Sequence, residues 1–313
     1  MIQLYQVVNT MILTINNITK SFGEKSVLKG ISFSAESGKA VGVLGRNGAG
    51  KTTLIRIIMN VFGADSGNVT LDGNPINTQN VRIGYLPEER GLYPKKKILE
   101  QLVYFAELQN INKKTAIQNA ESLLRRLEIE EYKNRRLDTL SKGNQQKVQL
   151  VATLIADPDI IILDEPFSGL DPVNASLLKD LVKDLIANGK LVLFSSHQMN
   201  YIEEFCDEIL ILNGGKIVLS GGIKEIKRSY ARNIIEIKTD HIKTVADFLN
   251  NGNFDFIKRI TCDDEKVTVT LTDENHKNRL MESVSQFGNL IDGFSVKEPT
   301  LNEIFVSFTE GQI

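Results

Sequence analysis

Lys39-Ala40-Val41-Gly42-Val43-Leu44-Gly45-Arg46-Asn47-Gly48-Ala49-Gly50-Lys51-Thr52-Thr53 is the stretch from which the rest of the chain can be read. Val41, Val43 and Leu44 give a short buried strand, the glycines give a loop, and Leu54, Ile55, Ile57 and Ile58 continue as an apolar helix. Gly45 to Thr52 fits G-x-x-x-x-G-K-[ST], the phosphate-binding loop, in the strand and helix context that the motif requires. The chemistry is mostly backbone. Glycines let successive N–H groups point inward, and the helix N-terminus adds partial positive charge, so Gly45, Arg46, Asn47, Gly48, Ala49 and Gly50 can cradle a polyphosphate. Lys51 supplies a mobile charge for the β- and γ-phosphates, and the Thr52 hydroxyl is placed to ligate Mg²⁺.

The second strong signal is Ile160-Ile161-Ile162-Leu163-Asp164-Glu165-Pro166, an unbroken apolar strand ending in two carboxylates. Continuous apolar strands belong in buried parallel sheets, and ligand-handling groups in open α/β sheets gather at the strands' carboxyl ends. Asp164 is positioned to hold Mg²⁺ and Glu165 to polarise an attacking water, with a helix-capping acidic pair as the alternative. Lys190 to Ser196 is another such strand, ending at His197, which is either a γ-phosphate contact or a structural histidine.

Upstream, Ile12, Leu13 and Ile15, then Val27 and Leu28, then Ile31 and Phe33 fall in short runs separated by glycines, which suggests antiparallel strands leading into the loop. Phe22, just before one of them, is equally readable as a purine-stacking aromatic or a core residue. Between Ile98 and Leu137 the apolar spacing becomes helical, marking a helical insertion over about 90–157. Ser141 and Gly143 then open a helix on Val148, Val151, Leu154 and Ile155, either as a cap or as a second anion site. Past Gly221-Gly222 the pattern restarts in the order β-α-β-β-α-β, as in a small α+β ferredoxin-like domain, followed by a last helix from Leu301 to Phe308.

Bulk composition is that of a globular protein: 313 residues, 42% hydrophobic, 24% charged and net charge -2. That charge offers no global attraction to nucleic acid or anionic lipid. Cys206 and Cys262 lie far apart without metal-type or redox-type neighbours, so free thiols are expected. The longest apolar runs are strand-sized, well short of the roughly 18 residues of a membrane helix. Residues 1–10 look like a loose extension or an upstream start before Met11, with an ordered edge strand as the alternative.

These segments together resemble the ATP-binding subunit of an ATP-binding-cassette (ABC) transporter, over Ile12 to about Gly222. The resemblance implies an ABC ATPase domain at 12–222 with an antiparallel β subdomain, and the sequence pattern adds an extension at 1–11 and an accessory domain at 223–313. On it, Phe22 matches the aromatic that stacks on adenine, Gly45 to Thr53 match Walker A, and Asp164 and Glu165 match Walker B and the catalytic glutamate. Ser168 to Asp171 match the D-loop, and His197 matches the switch histidine. Leu140-Ser141-Lys142-Gly143-Asn144 matches the LSGGQ signature, departing from it at Lys142 and Asn144. Glu88 stands where a glutamine is expected; a carboxylate can hold Mg²⁺ but cannot donate as an amide does.

The loop from Glu88 to Pro94 and the ending Glu298 to Phe305 look like the export-type subfamily that includes sodium-efflux subunits. The family further implies ATP and Mg²⁺ as cofactors, a homodimer or heterodimer of ATPase subunits, and a separate integral membrane permease. It places such a subunit in the cytoplasm, peripheral on the inner face of the membrane, with no nucleic acid expected. The alternative is a soluble ABC ATPase working on nucleic acid or ribosomes. Translation factors of that kind carry two cassettes, whereas this chain has one phosphate loop; chromosome ATPases carry a long coiled coil that is absent from the insertion.

Overall fold

The computed structural model describes residues 10–76, 81–89, 91–230 and 232–309. Its chain divides into two compact units, one running to Ile223 and resuming at Phe305, the other spanning Lys224–Ile304. The expected extension falls mostly on residues 1–9, which lie outside the described residues.

The first unit opens with β1 (Ile12–Phe22) and β2 (Lys25–Glu36), followed by β3 (Ala40–Gly45) and α1 (Lys51–Ile58). The short runs read from the sequence are in fact two long antiparallel strands. Gly30 sits inside β2 at φ +87 and is the extra residue of a bulge, since Ile18 pairs with Ile31 and Thr19 with Lys29. A breaker in sequence is here a bend within one strand. β4 (Ser66–Leu71) and β5 (Asn74–Pro75) follow, joined by Asp72 and Gly73, both at positive φ, as in the tight hairpin turns that Asp-Gly favours. The antiparallel sheet has the order β2-β1-β4-β5.

Next come β6 (Ile83–Leu86) and the helical insertion of α2 (Ile98–Leu108), α3 (Lys113–Arg126) and α4 (Lys142–Leu154). Asn112 caps α3 by accepting from the Thr115 N–H, and Ser141 caps α4 by accepting from the Asn144 N–H. The chain then runs through β7 (Ile160–Asp164), α5 (Pro172–Ala187), β8 (Leu191–Ser195), α6 (Met199–Phe205), β9 (Glu208–Asn213) and β10 (Lys216–Gly222). Asp171 accepts from the Asn174 N–H to cap α5, and Pro172 occupies its first turn.

The main sheet has the order β10-β9-β3-β8-β7-β6 and is parallel except for the β9/β10 hairpin. Every residue of β7 and β8 is buried, as two-sided burial of a parallel sheet requires. Leu13, Ile15 and Leu28 of the antiparallel sheet join Val41, Val43, Leu54, Ile162 and Leu193 in one core. The phosphate-loop helix is therefore fixed by apolar packing, independent of any ligand.

α7 (Ile223–Ser229) leads to the second unit: β11 (Ile234–Lys238), α8 (Ile242–Asn251), β12 (Ile257–Cys262), β13 (Lys266–Leu271), α9 (Lys277–Val284) and β14 (Gly293–Val296), with α10 (Leu301–Thr309) at the end. Its sheet is antiparallel in the order β12-β13-β11-β14, the ferredoxin-like arrangement. After α9 the chain continues from Ser285 to Leu290 as an irregular 3-10 run with Phe287 out of helical conformation.

Both cysteines are free: Cys206 is buried and Cys262 exposed. Burial pushes the Cys206 thiol well above its usual range, which keeps it protonated. In the native protein a thiol reagent at mildly alkaline pH is expected to label Cys262 alone, with Cys206 reacting only on unfolding; two equivalents labelled without denaturant would contradict this packing.

Candidate functional site

Three neighbouring strands of the parallel sheet deliver their carboxyl ends to one cavity of about 1190 Å³. β3 brings the glycine loop, β7 brings Asp164 and Glu165, and β8 brings Ser196 and His197. Phe22, Gly45, Arg46, Asn47, Gly48, Gly50, Lys51, Thr52, Thr53 and Glu88 complete the predicted set that lines it. Ala49 lies beneath the loop instead, its side chain buried in the core.

The loop is shaped by main chain. The Ala49 N–H donates to the Arg46 carbonyl at 3.0 Å, and the Leu54 N–H starts the helix on the Gly50 carbonyl at 2.9 Å. Gly50 caps α1 at φ +111, a conformation that side chains resist, and a Cβ there would lie 2.6 Å from Leu28 Cδ2. Lys51 Nζ donates to the Gly45 carbonyl at 2.5 Å. Burial lowers the Lys51 pKa, and the carboxylates of Asp164, Glu165 and Glu88 work against that shift by favouring its charge.

Asp164 accepts from the Ser195 hydroxyl on Oδ1 and from the Tyr85 hydroxyl on Oδ2 at 3.4 Å. Burial first, and then the Asp164 charge, push the Tyr85 phenol up to about 12, so it stays a donor. Glu165 is held more tightly. Its Oε1 accepts from the His197 N–H at 2.8 Å, His197 Nδ1 lies 2.8 Å from the same oxygen, and Oε2 accepts from the Ser196 hydroxyl at 3.1 Å. The Glu165 backbone sits at φ +51, and its N–H donates to the Ser195 carbonyl at 3.0 Å. A non-glycine residue in that region costs of order 1–3 kcal/mol and marks sites where side-chain aim matters more than backbone ease.

The oxygen donors Thr52, Glu88 and Asp164 share the cavity. Hard oxygen donors few enough to leave room for phosphate oxygens and water suit Mg²⁺. Among the described residues no group of three His, Cys, Asp or Glu side chains forms a metal site without a ligand's help.

Phe22 is 51% exposed, with its ring edge-to-face on Phe62 at 5.7 Å and Lys20 Nζ 5.6 Å from both centroids. Phe22 is therefore not a core residue. Ser141 and Gly143 do not line this cavity; they start α4 elsewhere on the same unit. Gln146 of α4 donates to the Pro166 carbonyl at 3.4 Å, and Gln149 to the Pro87 and Glu89 carbonyls at 3.3 and 3.2 Å. One helix thus touches both the turn after Glu165 and the Glu88 loop.

Sequence reading gave Lys25, Val27, Tyr85, Ser195, Ser196 and Phe305 no place in the site. Ser195-Ser196 beside His197 was the one available signal, because small hydroxyls at a strand's carboxyl end are placed to bond a neighbouring strand's carboxylates.

A glycine loop at a strand-to-helix junction, facing carboxylates on a parallel strand two places away, defines a P-loop nucleotide hydrolase. A family model described as ABC transporter matches residues 28–168, and one described as ATP-binding protein DrrA1-3-like, C-terminal domain, matches residues 221–309. The chain is 40% identical to the ABC transporter ATP-binding protein YhaQ of Bacillus subtilis, over 94% of this chain and 97% of that one. It is 30% identical to the Nod factor export ATP-binding protein I of Burkholderia lata, over 75% and 79% of the two. A solved ATP-binding subunit of an ABC transporter superposes with a TM-score of 0.64 at 28% identity, covering 69% of this chain and 92% of that one. The chain belongs to the ATP-binding, ATP-hydrolysing subunits of ABC transporters. Among the described residues no helix is long and apolar enough to cross a membrane.

Replacing Gly50 with alanine is expected to cost about 1–3 kcal/mol of stability in urea unfolding, from its left-handed backbone. The same change should weaken ATP binding by displacing the loop, and wild-type affinity in this variant would show that the loop tolerates a Cβ.

Proposed function

We propose that the chain is the motor of an ABC exporter: two ATPase subunits, identical or sibling, close head to tail on ATP and drive a separate integral membrane permease. The observation that carries this reading is Glu165, buried, held by three contacts and turned into the phosphate cavity by a left-handed backbone. A carboxylate anchored in that way is suited to accept a proton from an attacking water.

In this reading the loop from Gly45 to Thr53 holds the phosphates and Lys51 bridges the β- and γ-oxygens. Thr52, Asp164 and Glu88 would hold Mg²⁺, whose charge would neutralise a polyphosphate that otherwise faces three carboxylates. Phe22 carries the adenine. His197 shares its Nδ1 side with Glu165, leaving the other ring nitrogen for a γ-phosphate oxygen. Ser141 and Gly143 lie off this cavity, which suits a signature that meets the nucleotide of the partner subunit. Hydrolysis then releases the clamp, and α4, bonded to both the Pro166 turn and the Glu88 loop, carries the change toward the permease.

Export is supported by the name of the Burkholderia lata relative. The absence of a spanning helix among the described residues is consistent with attachment to the cytoplasmic face of the membrane through the permease. The domain division proposed is an extension at 1–11, the ATPase at 12–222 and an accessory domain at 223–313.

Glu165→Gln is expected to abolish steady-state ATP hydrolysis, by 10²-fold or more as for loss of a general base, while ATP binding persists. Equal turnover in the two proteins would overturn the assignment. Affinity purification of Glu165→Gln with ATP from detergent-solubilised membranes should recover a polytopic membrane protein; recovery of ribosomes or DNA alone would favour the soluble alternative.

A further inference from the structure

One wall of the nucleotide cavity comes from the far end of the sequence. Phe305 lines it together with Phe22, Lys25 and Val27, and all four belong to the unit that carries the phosphate loop. Phe305 is half-buried and lies in α10. That end of the helix is tied down: Asn213 Nδ2 donates to the Phe308 carbonyl at 2.9 Å. Asn213 directly follows Leu212, the strand partner of Gly45 at the start of the phosphate loop. Phe305 and Phe308 are three residues apart and share a helix face, so the bond at Phe308 holds Phe305 in register with the loop.

An aromatic side chain on the wall of a cavity that also holds phosphate donors suits a flat, apolar ligand group. We propose that Phe305 is a second base-contacting aromatic, which together with Phe22 makes the site selective for a nucleobase-bearing triphosphate over a bare polyphosphate. This rests on the reading that Gly45 to Thr52 hold the phosphates and Phe22 the base. The lever arm is short: base contact at Phe305 would hold residues 305–309 against the end of β9, coupling nucleotide binding to the C-terminal helix end within one unit.

The test compares equilibrium binding of ATP and of inorganic tripolyphosphate, each with Mg²⁺, to the full chain carrying Glu165→Gln to suppress turnover. Adding Phe305→Ala should weaken ATP about tenfold, the scale of one lost base–aromatic contact, and leave tripolyphosphate unchanged. Phe305→Trp should retain ATP affinity, and since the chain has no tryptophan, its emission becomes a direct reporter expected to respond to ATP but not to tripolyphosphate. Unchanged ATP affinity in Phe305→Ala, or equal loss of both ligands, overturns the proposal, as does a Phe305→Trp emission blind to ATP. Phe22→Ala separates the two readings: loss of ATP preference there but not at position 305 sinks Phe305 alone, whereas no effect at either position sinks the base site itself.

Discussion

The site depends on the in-register parallel pairing of β7 and β8. Leu163 is opposite Phe194 and Asp164 opposite Ser195, so the hydroxyls that end one strand meet the carboxylates that end the other. β3 flanks β8 on its other side, with Gly42 opposite Phe194, which sets the glycine loop on the same edge of the sheet. A slip of one residue would turn Asp164 to the opposite face and leave a buried carboxylate without its donor. The near-complete burial of β7 and β8 is what forbids that slip.

On this frame the site is electrostatically lopsided. Lys51 is buried enough to lose part of its preference for the charged form, and three carboxylates pull the other way. Three carboxylates against one lysine oppose a polyphosphate, and a divalent cation would relieve that opposition. Glu165 adds conformational strain to that balance. Its positive φ is sustained by the Ser195 carbonyl, the Ser196 hydroxyl and the His197 amide, all supplied by β8 and the residues just beyond it.

α4 connects the parts. Its start is capped by Ser141, and its middle is bonded to the turn after Glu165 and to the Glu88 loop. A Cβ on Gly143 would lie 3.3 Å from Asn174 Nδ2, so the start of α4 also packs closely against the start of α5. Displacement of this helix therefore has to be felt at the Glu165 turn and the Glu88 loop together.

The sequence by itself determined the phosphate loop, the acidic strand end, the helical insertion and the β-α-β-β-α-β order of the second unit. Each is a local pattern: glycine and lysine spacing, an unbroken apolar run, or a change of period. It also marked Ser141 as a helix start, because a cap needs only its own next turn. Only the tertiary structure decided that Gly30 is a bulge within one strand, since a bulge is defined by the partner strand opposite it. The same holds for Ser195, Ser196 and Tyr85 as donors to the carboxylates, and for Phe305, which reaches the cavity from more than 250 positions after the loop. Such contacts are made by chain closure across a sheet, and no spacing in the sequence records them.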